Sequence, residues 1–382
     1  MSESRELSLF TSFPAQDYMH QAAEIDTAVA RVVRAGHFVL GPEVAAFEAE
    51  FATFIGTEHA IGVASGTDAI EILLRALEIG RGARVVLPSH TAVACASAVS
   101  RAGAEPLFVD VDPATCTLCP EALDHLLASP AGQTVKAVLA VHLYGQPVDW
   151  TALKAVTDKH RIVLLEDCAQ AHGARFQGRM VGGLGLAAAF SFYPTKNLGA
   201  IGDGGAVTTN DAALAKRVRS LRQYGWQTRY VSECEGINSR LDELQAAVLR
   251  VKLRTLPWQL QQRRDLASAY ARGLAGICGV QAPSARTGCE HAWHLYVIQC
   301  EARDALMKHL NECGVPTAVH YPAAIHQQPG YALAARQSPH LRRTDEVVRH
   351  ILTLPLHPYL THEAVAVVCR AIREFADTQP VQ

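Results

Sequence analysis

The chain has 382 residues, of which 49% are hydrophobic and 19% charged, and a formal net charge of −2. That composition suits a packed α/β globule with room for one large domain and a smaller one, and with no basic block it excludes the electrostatic footprint of a nucleic-acid binder. No apolar run reaches a membrane-spanning length, the acidic start Met1-Ser-Glu-Ser-Arg-Glu is unlike a secretory signal, and ten cysteines without a framework fit a reducing cytoplasm.

Residues 1–20 read as an irregular arm, and 21–35 as a helix with Ile25, Val29 and Val32 on one face. Gly41-Pro42 opens a second helix carrying Val44, Phe47, Phe51 and Ile55, stopped at Gly56. A strand is expected at 59–64, and Ser65-Gly66-Thr67-Asp68 turns from it straight into a helix through Ile70, Leu73 and Leu77. Strands at 84–88, 106–111, 136–141 and 162–165 then alternate with helices at 91–101, 121–128 and 149–160. The strand at 162–165 ends on Glu166-Asp167, and a further apolar run, Ala187 to Tyr193, stops at Pro194. Apolar strands without alternation, interleaved with helices, imply an α/β fold: a mostly parallel sheet covered on both faces. Ligands on such sheets sit at the C-terminal strand ends.

Beyond this half, 211–223 reads as a helix, 224–237 as a polar, aromatic loop, and 241–256 as a long helix broken by Pro257. A further helix at 263–274 precedes an α+β tail, with strands at 293–300 and 315–321 and helices at 302–313 and 363–375. The change of pattern divides the chain into 1–255, a large domain with its arm, and 256–382, a smaller α+β domain.

Three chemically suggestive spots fall at strand ends. Ser65-Gly66-Thr67, opening a helix, is either an ordinary N-cap or a phosphate cradle, in which free N–H groups and the positive helix end meet an anion. Asp167, a carboxylate closing a buried strand, needs a cationic or protonated partner, which an arginine or a protonated pyridine nitrogen would supply. Gln170 follows as a donor for a phenolate-like oxygen, and His172 as an orienting or merely packed ring. Lys196, just past a buried strand in a stretch containing Gly199, Gly202, Gly204 and Gly205, is a solvated lysine on its own. Partly desolvated, it is an amine nucleophile. Cys116 and Cys119 form a CxxC with no second pair at zinc spacing, so they read as loop and packing cysteines and no metal is expected. No GxGxxG follows the first strand, which argues against a nicotinamide dehydrogenase.

An amine, a carboxylate for a pyridinium and an anion cradle are the protein's share of pyridoxal phosphate chemistry. The chain resembles the fold-type I sugar aminotransferases of the DegT/DnrJ/StrS type along nearly its whole length. The resemblance is carried by Ala64-Ser-Gly-Thr-Asp-Ala69, Val141-His-Leu-Tyr-Gly145, Glu166-Asp-Cys-Ala-Gln-Ala-His-Gly173, Ser191-Phe-Tyr-Pro-Thr-Lys-Asn-Leu-Gly199, Gly236-Ile-Asn-Ser-Arg-Leu-Asp-Glu-Leu-Gln-Ala-Ala247 and His320-Tyr-Pro322. It implies pyridoxal 5′-phosphate as cofactor, Lys196 as the Schiff-base lysine and Asp167 as partner of the ring nitrogen. Gln170 falls to the ring 3-oxygen, and Gly66, Thr67 and Ser191 to the phosphate. Asn238 matches a phosphate contact from the neighbouring subunit, which implies a homodimer with shared active sites. His320 and Tyr321 match substrate-side positions, while Arg240 reads as a helix-start salt bridge outside the catalytic set. Where many members carry a stacking aromatic, this chain has Ala92, in Pro88-Ser89-His90-Thr91-Ala92, and His90 is the expected substitute face.

The implied reaction transfers an amino group from glutamate to a nucleotide-linked 3-keto-6-deoxyhexose, the dTDP-sugar being the expected form. Lys196-Asn-Leu-Gly-Ala-Ile-Gly-Asp-Gly-Gly205 carries the 3-keto likeness, since the 4-keto branch tends to have Glu in place of Asp203. A 4-keto sugar and a cyclitol are the alternatives. A non-catalytic cofactor-binding regulator, the reading from another class, would not need an intact Lys196.

Overall fold

The computed structural model describes residues 9 and 11–378. Seven strands make the central sheet: β1 His59–Val63, β2 Arg84–Pro88, β3 Glu105–Val109, β4 Val135–Val141, β5 Val163–Asp167, β6 Ala187–Ser191 and β7 Gly205–Thr209. Their spatial order is β1-β7-β6-β5-β4-β2-β3. The five strands β3, β2, β4, β5 and β6 are mutually parallel, and β7 runs antiparallel to both β6 and β1. It follows that β1, β2, β4, β5 and β6 all end at one edge of the sheet, where β7 begins.

Both faces are buried, as the continuous apolar runs require. Val85, Leu87, Leu139, Leu165, Ala189 and Val207 pack on one side with Ile70, Leu73, Leu74, Cys95 and Val99 from the helices Gly66–Ala76 and Val93–Arg101. Neighbours in sequence point the other way: Val86, Leu107, Val138, Ala140 and Leu164 meet Leu123, Leu127 and Leu153, while Ala188, Phe190 and Ala206 meet Phe47, Phe51 and Leu249. A period of two in side-chain direction lets one apolar strand feed two cores.

The helix expected to break at Pro257 instead runs unbroken from Glu243 to Leu274. Proline removes one N–H bond, but Leu253, Leu256 and Leu260 stay buried on either side of it, and tertiary packing outweighs that local loss. This helix packs on Ala22–Ala35 and Pro42–Ile55 and also on His362–Thr378, so it is a spine shared by both halves, and position 255 lies inside it. The arm also differs from expectation, forming a short helix at Pro14–Met19. Its Asp17 is tied to the spine by Lys252 Nζ at 2.6 Å and Gln259 Nε2 at 2.7 Å, and by the Tyr359 hydroxyl at 2.8 Å.

In the C-terminal part, Val280–Gln281, Tyr296–Cys300 and Ile351–Leu354 form a small antiparallel sheet packed on Arg303–Glu312 and His362–Thr378. The strand expected at 315–321 reduces to one bridge, Ala318 to Thr353, because the chain then leaves that sheet toward the central one. Trp226–Thr228 and Val231–Ser232 pair as a small hairpin within the segment read as a loop.

Candidate active site

A cavity of about 230 Å³ opens at the edge where the strands end. Ser65, Gly66 and Thr67 follow β1 into it, Thr91, Ala92 and Cys95 follow β2, Asp167 closes β5, and Ser191 closes β6. Gln170, Lys196 and Asp203 also line it. Residues from five separate stretches of chain thus converge, as the sheet topology dictates.

The cradle is built by close approach. A methyl group on Gly66 would stand 2.6 Å from Ser191 Cβ, and one on Gly205 would stand 2.4 Å from the Ser65 carbonyl carbon. Only glycine at both positions lets the turn after β1 lie against the β6–β7 pair, in which Ser191 faces Gly205. Ser65 Oγ caps the helix through the Asp68 N–H at 3.1 Å, so the Gly66 and Thr67 N–H groups stay directed at the cavity end of the dipole.

Asp167 is 3% exposed. Its Oδ1 accepts from the Ala169 N–H at 3.0 Å and its Oδ2 from the Cys95 thiol at 3.0 Å. Burial beside this carboxylate pushes the Cys95 thiol well up, so it remains a protonated donor. Lys196 is the cation of the cavity. Burial holds its amine below the ordinary lysine range, against the pull of Asp167 and Cys95 in the other direction. Among the described residues no group hydrogen-bonds its Nζ, which leaves the nitrogen free to react. Its loop is stitched shut by Ala200 N–H to Phe192 O and Phe192 N–H to Gly204 O, each 2.8 Å.

Gln170 has its amide orientation set by geometry. The Tyr144 N–H can only donate, and it lies 2.7 Å from Gln170 Oε1, so Nε2 is the end that reaches the Tyr321 hydroxyl at 3.1 Å. One amide hydrogen remains for the cavity. His172 packs between Phe190 and Phe192, and burial together with the nearby Lys196 charge lowers it to about 3, so it is a neutral packed ring.

His90 does not line the cavity: it is fully buried behind the wall with Nε2 2.6 Å from the Tyr144 hydroxyl, while Ala92 faces inward. Thr91 and Ala92 both line the cavity, while the His90 ring turns away from it into the core. Asn238 is exposed, bridged to Gln223, and outside this wall. Arg240 lies 6.0 Å over the Tyr224 ring and has no ion pair among the described residues. Cys95 and Ala169 line the cavity and Tyr144 stands behind Gln170; sequence reasoning gave none of the three a role. Cys95, one turn after Thr91 on a helix following a strand end, had a periodic signal, whereas Tyr144 had only its place in the matched block.

His142, Glu166 and Cys168 come close enough to suggest a metal centre. The polar atoms of His142 and Glu166 are engaged within the fold. Glu166 accepts from the Gly182, Leu184 and Gly185 N–H groups at 2.7, 2.9 and 2.9 Å. His142 Nδ1 accepts from Val148 N–H, which puts its proton on Nε2, 3.1 Å from Glu166. Cys116 and Cys119 are buried free thiols. Among the described residues no helix is long and apolar enough to cross a membrane.

A mostly parallel sheet that gathers a lysine, a buried carboxylate and a close-packed glycine turn at its strand ends has the architecture of an aminotransferase. The model of the DegT/DnrJ/EryC1/StrS aminotransferase family matches residues 19–373, and the chain belongs to that family. It is 45% identical over 360 residues to the dTDP-3-amino-3,4,6-trideoxy-alpha-D-glucose transaminase of Streptomyces venezuelae, covering 94% of each chain. It is 41% identical over 351 residues to a UDP-N-acetyl-3-dehydro-alpha-D-glucosamine 3-aminotransferase of Acidithiobacillus ferrooxidans, covering 92% of this chain and 93% of that one. The crystal structure of S. venezuelae DesV in complex with a ketimine intermediate superposes with a TM-score of 0.93 at 43% identity, over 97% of this chain and 99% of that one. The protein is a sugar aminotransferase.

Proposed function

We propose that the protein transfers an amino group from glutamate to C3 of a nucleotide-linked 3-keto-deoxysugar, with pyridoxal 5′-phosphate held in the 230 Å³ cavity. The observation that carries the reading is Lys196, desolvated and without a hydrogen-bond partner for its Nζ among the described residues, in the same cavity as Asp167 and the Gly66 cradle. These residues fit the cofactor: the cradle admits no Cβ, as close approach to a phosphate requires, and a buried carboxylate faces the space where a cationic ring nitrogen would sit.

Gly66, Thr67 and Ser191 would hold the phosphate, Asp167 the ring nitrogen, the free Gln170 N–H the ring oxygen, and Lys196 Nζ the carbonyl carbon. Bound there, the cofactor supplies an electron-withdrawing ring that acidifies the donor's Cα–H. Lys196 Nζ, neutral once released, is the general base that takes this proton and the acid that returns it. Asp167, fixed from both oxygens, keeps a negative charge where positive charge must be retained. Ala92 leaves a small-residue wall where an aromatic face is common in the family.

Amination at C3 is supported by the names of the two relatives above, one dTDP-linked and one UDP-linked. His320 and Tyr321 are assigned to the sugar side. A homodimer is part of this reading. Its support is the exposed Asn238, together with the exposed apolar side chains of Tyr230 and Val231 in the hairpin and of Ile201 in the lysine loop. The division at 255 is retained as two domains sharing the spine helix.

The test is spectroscopic. Purified protein should absorb in the visible, lose that band on adding glutamate, and regain it with a dTDP- or UDP-linked 3-keto sugar. Lys196→Ala should abolish the bleaching. A colourless protein, turnover by the Lys196→Ala variant, or recovery only with 4-keto sugars would overturn the respective part.

A further inference from the structure

Tyr144 sits at φ 60°, ψ 0°, a left-handed conformation that a bulky side chain seldom adopts. All of its polar groups are engaged. Its N–H donates to Gln170 Oε1 at 2.7 Å, and its carbonyl accepts from the N–H groups of His294 at 2.9 Å and Leu295 at 3.3 Å. Its hydroxyl contacts both the His320 carbonyl and His90 Nε2.

The protons in that last pair of contacts can be placed. A carbonyl oxygen only accepts, so the single hydroxyl proton of Tyr144 goes to His320. The phenolic oxygen therefore accepts from His90, which must carry its proton on Nε2. The other ring nitrogen, Nδ1, is buried with no partner, as the lone-pair nitrogen of a neutral ring in an apolar setting. His90 is a one-way donor, the end of a chain running His90 to Tyr144 to His320.

The chain closes into a ring. Tyr144 holds Gln170 through its backbone, Gln170 Nε2 reaches the Tyr321 hydroxyl at 3.1 Å, and Tyr321 adjoins His320, whose carbonyl returns to Tyr144. Two members come from the central sheet's loops and two from the C-terminal segment. Asp167, Cys95 and Lys196 stand outside it.

We infer that Tyr144, with His90 behind it, is a positioning residue that fixes the sugar-side pair His320–Tyr321 in register with Gln170, and so acts on recognition of the large amino-group partner more than the small one. The inference rests on the assignment of His320 and Tyr321 to the sugar under Proposed function. Loss of the hydroxyl leaves the Tyr144 N–H on Gln170 and removes the links to the His320 carbonyl and to His90 Nε2.

The test compares two amino donors on one cofactor-loaded enzyme: glutamate, and whichever dTDP- or UDP-linked 3-amino sugar bleaches the wild type. In single-turnover bleaching, Tyr144→Phe should raise the half-saturating sugar nucleotide about tenfold, the effect of one buried hydrogen bond, while half-saturation by glutamate moves less than threefold. His90→Leu leaves the Tyr144 hydroxyl on His320 but removes the donor that orients it, so it should raise the same half-saturation by less than Tyr144→Phe does, and His90→Gln, which keeps a donor at the same reach, should stay within threefold of wild type. The double variant should be no worse than Tyr144→Phe alone, because the two share one interaction. Equal losses for both donors, additive losses, or no loss would overturn the inference. Thermal unfolding of the cofactor-free variants reads the His90–Tyr144 coupling separately from turnover, and additive shifts in Tm would equally refute it. A wild-type enzyme bleached by glutamate and a sugar nucleotide, with unaffected variants, fails this inference alone. A wild type bleached by neither fails the functional reading beneath it.

Discussion

Asp167→Asn isolates the charge of the buried carboxylate with almost no change of shape. The Ala169 N–H, 3.0 Å from Oδ1, will retain the amide oxygen there, so the new NH₂ group replaces Oδ2 beside Cys95 and toward the cavity. A donor then faces the place where a ring N–H needs an acceptor. A carboxylate at contact distance raises a cation's pKa by about 1–3 units, or roughly 1.4–4 kcal/mol. If that stabilisation serves the proton-abstraction step, its loss slows the step by about 10- to 1,000-fold. Lys196 should respond oppositely: without the Asp167 charge, burial is less opposed and its amine becomes more readily neutral. The variant is therefore expected to take up pyridoxal phosphate and develop visible absorbance, yet to bleach slowly with glutamate in stopped-flow. Bleaching within threefold of wild type would refute the role given to Asp167, as would a folded variant unable to acquire the chromophore.

Gly66→Ala places a methyl 2.6 Å from Ser191 Cβ and 3.1 Å from Ser191 Cα, a main-chain atom that cannot swing away. Overpacking of about 1–3 kcal/mol should weaken pyridoxal phosphate binding about tenfold or more, read by fluorescence titration of the cofactor-free protein, and an unchanged Kd would argue against the cradle. Glu166→Gln turns an amide NH₂ against backbone N–H donors in a site with no exposure and should cost about 3 kcal/mol in urea unfolding; a loss under 1 kcal/mol would mean the strut is dispensable. Burial lowers His90 to about 4 and His291 to about 3, and His172, also feeling Lys196, to about 3, from an ordinary 6.5. Below about pH 6.5 the unfolded chain binds protons that these folded rings refuse, so stability falls with falling pH. From pH 7 to 5.5 the loss is about 1.3 kcal/mol each, about 4 kcal/mol for the set. An unfolding midpoint unchanged over that range would show the rings to be protonated in the fold.

Asp167 was legible in the sequence because the buried run before it stops on a carboxylate, whereas the run read from Ala187 to Tyr193 ends at Ser191 in the fold, and only the family resemblance singled that serine out. The cradle was legible as a turn-to-helix junction, although its tightness depends on Ser191 and Gly205, more than a hundred residues away. β7 escaped notice because Gly204-Gly205 and Thr208-Thr209 look like loop. Inside the fold those hydroxyls donate to the Gly182 and Leu186 carbonyls at 2.7 Å, which lets a polar pair be buried in a strand. Pro257 misled for the reverse reason, a strong local signal overruled by leucines on both sides. That the His90 ring turns into the core while Ala92 lines the cavity was not legible, because the direction of a side chain in a turn is not periodic. The role of Tyr144 depends on positions 90, 170 and 320, which only the folded chain brings together.

The stitched loop between β6 and β7 carries a consequence for how far such an enzyme can diverge. The anion cradle leans on Ser191 and Gly205, the two residues at its base, and the amine stands at 196 within it. This hairpin thus works as a calliper, setting the span between the cradle and the amine, and it is pinned to the spine helix by Lys252 and Gln245. The C-terminal segment proposed to meet the sugar can then be reshaped, lengthened or re-angled across descendants while that span stays constant. A single residue inserted between 192 and 204 would have no such freedom.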